Sequence, residues 1–112
     1  MRPGRYDLRL YRGDSRAWRF RVWQDDARTI PVDITDAEVA ATIRGSCAHQ
    51  PLPLQLTVTA PNIIDAVLDA DEARLLTRHG TWDLQLVWPG EWVTTVLFGD
   101  VFVSDDTTRS AA

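Results

Sequence analysis

Trp82-Asp83-Leu84-Gln85-Leu86-Val87-Trp88-Pro89-Gly90-Glu91-Trp92-Val93-Thr94-Thr95-Val96-Leu97-Phe98 is the stretch that decides the fold. Trp82, Leu84, Leu86 and Trp88 alternate with Asp83, Gln85 and Val87, the two-residue period of a strand with one buried face. Pro89-Gly90 fits the two central positions of a type II turn. Proline presets φ at the first, and glycine accepts the positive φ of the second. Trp92–Phe98 then returns antiparallel, and the two runs make a hairpin. Gly99-Asp100 is expected to break the second strand, with Val101–Val103 closing the sheet.

The same alternation recurs upstream. Tyr6, Leu8 and Leu10 alternate with Arg5, Asp7, Arg9 and Tyr11, and Gly13-Asp14-Ser15 turns the chain. Trp18, Phe20 and Val22 alternate with Arg19, Arg21 and Trp23. Gln24 to Arg28 reads as a polar turn, and Ile30-Pro31-Val32 as a short extended piece that Pro31 bars from a central ladder position. Asp33-Ile34-Thr35-Asp36 leads into a strand over Val39–Arg44. Gly45 to Pro53 is a loop, and Leu54, Leu56 and Val58 alternate again. Pro61-Asn62 turns the chain into a strand over Ile63–Leu68. One segment reads as helical: Asp69 or Asp71 caps a short turn through Asp71–Thr77, with Leu75 and Leu76 facing inward and Gly80 stopping it. Seven or eight short strands, with no helix to cover a parallel sheet, define one all-β domain over residues 1–112. The architecture is a sandwich or small barrel, with an extended tail past about residue 106.

Composition narrows the function classes. A hydrophobic fraction of 45% and a charged fraction of 25% belong to an ordinary globular chain. No stretch approaches the roughly 20 apolar residues that span a bilayer, and no apolar run follows the basic Met1–Arg5 segment, so neither a membrane partner nor a signal peptide is expected. One cysteine, Cys47, excludes an internal disulfide and reads as a bystander in a loop. The twelve basic residues are all arginine. Residues 1–28 hold eight Arg against four Asp, whereas the remaining 84 hold four Arg against twelve acids. The chain is therefore basic at one end and acidic over the rest. The plainer reading is a solvated surface with cross-strand ion pairs. The sharper one is a basic face that docks on an acidic face of a partner or a second copy. Nucleic acid is the weakest option, because the net charge is −4.

No set of residues nominates a catalytic, cofactor or metal site. His49 and His79 fall in expected loops, away from any second ligand. Asp100, Asp105 and Asp106 lack the glycine and terminal glutamate of a calcium loop. No phosphate loop, nucleophile elbow or paired cysteine occurs. Five tryptophans are many for this length. Trp18, Trp82 and Trp88 share faces with Leu and Phe and read as core. Trp23 falls on the polar face of its strand, either at an interface or under a loop. Trp92 follows the hairpin turn and fits either face. Exposed Trp beside Arg is the composition of binding hot spots.

A set of motifs in order carries a resemblance. Arg12-Gly13-Asp14-Ser15 precedes an aromatic strand, followed by Pro31-Val32-Asp33-Ile34-Thr35 and Ile43-Arg44. Gly80-Thr81-Trp82-Asp83-Leu84-Gln85-Leu86 and Val93-Thr94-Thr95-Val96-Leu97-Phe98-Gly99 come later, and Asp105 to Arg109 ends the series. Over roughly residues 5–109 the chain resembles the N-terminal domain of the phage baseplate upper protein family and its short stand-alone relatives among phage structural proteins. The Gly45–Pro53 loop departs from that pattern, and the further domains of longer family members have no counterpart in this chain. The motifs supply turns and pairings; Asp83, for instance, is placed to pair with an arginine on its neighbour such as Arg44.

The resemblance implies an immunoglobulin-like antiparallel β-sandwich without catalytic activity. The protein is expected in the virion of a tailed phage, made in the bacterial cytoplasm and present as a homo-oligomer or in many copies in the tail or baseplate. Expected partners are other phage structural proteins and copies of itself, with Arg9, Arg12, Arg19, Arg21, Trp23 and Trp92 as contact residues. Two alternatives stay open: a decoration protein cementing the capsid surface, and a carbohydrate-binding module for host attachment.

Overall fold

A computed structural model describes residues 3–23, 30–46 and 50–104. The Gln24–Arg28 turn, Cys47, His49, Asp105, Asp106 and the tail past residue 106 lie outside the described residues. The hairpin forms the middle of the larger sheet. Strand β8 (Gly80–Trp88) pairs antiparallel with β9 (Trp92–Ser104), and Trp88 lies opposite Trp92. The connection is one residue longer than a two-residue turn, because Glu91 (φ 62) joins Gly90 (φ 83) in the left-handed region. On its other side β8 pairs with β4 (Glu38–Arg44), and β5 (Leu52–Pro53) adds to β4 within the expected loop. Pro53 lies on this outermost strand, where a missing donor costs least.

The first expected strand is divided. Strands β1 (Gly4–Arg5) and β2 (Leu8–Tyr11) both run parallel to β9. Gly99-Asp100 does not break β9, which continues unbroken to Ser104. Gly99 serves a close approach instead: a Cβ there would lie 2.2 Å from the Tyr6 carbonyl oxygen. The interruption falls on the partner, at Tyr6 and Asp7. The Tyr6 N–H donates to the Phe98 carbonyl at 2.9 Å, and Asp7 Oδ1 accepts the Asp100 N–H at 2.9 Å.

The second sheet has the order β3 (Arg16–Arg21), β7 (Ile63–Leu68), β6 (Gln55–Thr59), all antiparallel. Its inner face carries Trp18, Ile64, Ala66 and Leu68, buried against Leu8, Leu10, Ile43, Leu84 and Leu86 of the larger sheet. Trp82 is buried as expected, whereas Trp88 is half-buried. The buried Asn62 locks the end of β3: its Nδ2 donates to the Val22 carbonyl at 2.9 Å, and its own carbonyl accepts the Val22 N–H at 3.0 Å. Helix α1 (Ala70–Ala73) is a single turn with a capping box between Asp69 and Glu72. It is shorter than the expected Asp71–Thr77 turn. Leu76 is buried as expected, but Leu75 is 51% exposed, because the chain leaves the helix before Leu75 can turn inward.

Candidate functional site

The sandwich is open along one side, where β1 ends the larger sheet and β3 ends the smaller one. Between them lies a groove of about 500 Å³, within the roughly 300–1,000 Å³ typical of ligand clefts. Gly4, Arg5, Tyr6 and Leu97 form one wall. Arg19, Phe20, Arg21 and Trp23 form the other. Strand alternation explains the second wall. Trp18, Phe20 and Val22 point inward, which leaves Arg19, Arg21 and Trp23 on the outer face beside the edge.

The aromatic floor is continuous. Phe20 stacks on the buried Trp82 with centroids 5.8 Å apart, and the Tyr6 ring meets both edge-on, at 5.6 Å from Phe20 and 6.5 Å from Trp82. Trp82 Nε1 donates to the Tyr6 carbonyl at 2.6 Å, which ties the β1 side of the groove to the core.

Two of the three groove arginines are held by carboxylates. Arg19 forks onto Asp65 of β7, with Nε–Oδ1 at 2.8 Å and Nη2–Oδ2 at 3.3 Å. Arg5 reaches Asp100 at 2.7 Å and Asp7 at 3.2 Å. These pairs are well exposed, so each contributes little to stability and can exchange for a partner's carboxylate. The Arg19 hydrogen bond holds the Asp65 carboxyl below the ordinary aspartate value; partial desolvation opposes this, and the charges of Arg19 and Arg21 reinforce it. Asp33 is lowered likewise, by the Thr35 hydroxyl and then by the Thr35 N–H at 3.0 Å.

A carboxyl whose pKa is depressed on folding binds protons more weakly than in the unfolded chain. Its contribution is therefore complete above the unfolded aspartate value and is lost as pH falls through the folded one. Thermal unfolding followed by circular dichroism is expected to show a falling midpoint below about pH 4. Asp65→Asn should flatten that decline. An unchanged slope in the variant removes Asp65 from the account.

The groove gathers three of the six expected contact residues, Arg19, Arg21 and Trp23. The other three are spread around the domain. Arg9 lies on β2 with its guanidinium 4.8 Å from the Phe102 ring centroid. Arg12 follows β2 at the far end and donates from Nε to the Arg74 carbonyl at 3.4 Å. Trp92 stands 73% exposed at the β8–β9 hairpin tip, beside the exposed Val93. One expected local pairing forms. Arg44 Nη1 meets Asp83 Oδ1 at 3.0 Å. His79 Nδ1 accepts the Val103 N–H at 2.9 Å, a structural contact at the strand end. Asp100 is engaged by Arg5 and Asp7. Arg5, Tyr6 and Leu97 were not readable as groove residues. Their meeting depends on the parallel pairing of β1 with β9, which leaves no local signal in the sequence.

Two packed sheets of this strand order define an immunoglobulin-like β-sandwich. The crystal structure of the titin M3 domain superposes on the chain with a TM-score of 0.52, covering 92% of each chain at 12% sequence identity. At that identity the likeness concerns the fold. No protein-family model and no curated protein matches the sequence.

Proposed function

We propose that the protein is a non-enzymatic structural component of a tailed-phage particle, an assembly module of the tail or baseplate that docks other particle proteins or copies of itself. The observation that carries the docking reading is the groove, where Arg5, Arg19 and Arg21 meet Tyr6, Phe20 and Trp23. Arginine and large aromatics dominate binding hot spots: the aromatics bring wide contact area with only two side-chain torsions to freeze, and arginine brings a planar fork of donors. A sandwich of this kind hosts many functions, so the fold itself argues for none of them. The particle context comes from the motif resemblance. Weak single contacts suit that context, since many copies in one assembly multiply them through avidity.

The test is the charge reversal Arg19→Glu with Arg21→Glu. Purified particles are expected to contain at least tenfold less of the variant than of the wild type, while circular dichroism shows a folded domain. Normal incorporation rejects docking through this groove. Gold-labelled antibody on the particles locates the protein. Label at the tail agrees with the tail or baseplate assignment, and label over the head makes it a capsid decoration protein.

A further inference from the structure

We infer that the groove takes an extended acidic segment of a partner polypeptide as an added strand on β3. This deepens the docking reading above and rests on it. Strand β3 pairs only with β7 among the described residues. The register pairs Trp18 with Ala66 and Phe20 with Ile64, and the Val22 N–H donates to Asn62 two residues further on. Antiparallel ladders alternate: the residues that exchange hydrogen bonds across the pair are every second one. Trp18, Phe20 and Val22 are that set, so Ala17, Arg19 and Arg21 turn their N–H and C=O groups to the open edge beside the groove. Such an edge is a template for another strand.

The side chains specify what the strand carries. Arg19 and Arg21 lie on one face of β3, two residues and so about 7 Å apart. An added strand in register places its own alternate residues on that face, beside the two guanidinium groups. Carboxylates at alternate positions fit there, with Arg forks as partners. Asp65 already holds Arg19 from the β7 side, but through an exposed pair, and it also lies within the field of Arg21. The intervening residues of the strand turn inward onto the half-buried Phe20 and onto Tyr6. Those positions call for apolar side chains. The expected pattern is acidic–apolar–acidic.

The probe is a fluorescein-labelled peptide Glu-Val-Glu-Val-Glu-Val-Glu, titrated with the wild-type protein by fluorescence anisotropy. It is expected to bind at least tenfold more tightly than a peptide of the same composition with its Glu and Val residues in two blocks. Arg19→Ala with Arg21→Ala should weaken the alternating peptide at least tenfold. Backbone geometry is read separately, with the wild-type domain. Methylating the amides of all Glu, or of all Val, should abolish binding in one case and spare it in the other, because only one set faces β3. Equal loss from both sets, or equal affinity for the block peptide, overturns strand addition. If the peptides behave so while Arg19→Glu/Arg21→Glu still blocks incorporation, docking stands without strand addition. If the alternating peptide binds as expected and the reversed variant incorporates normally, the strand site stands and the assembly reading falls.

Discussion

Gly99→Ala is expected to destabilise the domain by about 3 kcal/mol, the upper part of the range for forced overpacking. Gly80→Ala should cost about as much. At Gly99 the added methyl would lie 2.2 Å from the Tyr6 oxygen and 2.7 Å from the Tyr6 carbonyl carbon. At Gly80 it would lie 2.2 Å from the Arg44 oxygen and 2.9 Å from the Ser46 nitrogen. Both obstacles are backbone, so relief requires a strand to move. A domain with a total stability of roughly 5–15 kcal/mol loses much of its margin this way. Gly90→Ala is the control. Gly90 has φ 83 and nothing within 4 Å, so only the left-handed backbone resists, at about 1–2 kcal/mol. Urea unfolding of the three variants checks the ranking. Gly99→Ala within 1 kcal/mol of wild type would show that Tyr6 does not cross β9 at Gly99, and the β1 wall of the groove would lose its anchor.

Gly99 also marks the limit of what the sequence conveys. Period-two alternation located β2, β3 and β8, because each has one face in the core and one outside it. The same signal read Gly99 as a break, since a glycine amid strand residues indicates either an end or a close approach, and only the partner's path distinguishes them. That partner, the Tyr6 peptide, lies 93 residues earlier in the chain. Parallel pairing of β1 and β2 with β9 is long-range for the same reason. No turn joins the strands, so no turn residue announces them.

The site was half legible on similar grounds. Arg19, Arg21 and Trp23 share a face because they are alternate residues of one stretch, and the sequence states this directly. Arg9, Arg12 and Trp92 belong to the same composition but not to the same place. Among the described residues the N-terminal arginines are divided among β1 and β2 of the larger sheet, β3 of the smaller one and the turn between β2 and β3. Arg9, Arg12 and Arg19 also find local partners: a ring, a carbonyl and a carboxylate. Composition counts charges; it does not say which of them converge.

Trp82 is where stability and the groove meet. The ring is 2% exposed, and its replacement by alanine is expected to cost about 3–5 kcal/mol through lost burial and the cavity left behind. Trp82→Phe separates the two roles. Phenylalanine retains most of the apolar contact with Phe20 but removes the N–H that donates to the Tyr6 carbonyl at 2.6 Å. Leaving that acceptor without its donor costs about 1–3 kcal/mol. The loss falls on one wall of the groove, because Tyr6 is held by this bond, by its N–H on Phe98 and by the edge-on ring contacts. Amide chemical shifts should therefore move most at Arg5, Tyr6 and Phe20 and little in β6 or at the hairpin tip. Changes spread evenly over both sheets would mean that Trp82 serves the core alone. Confined changes, together with weaker incorporation into particles, would place the indole N–H as the post on which the docking groove is set.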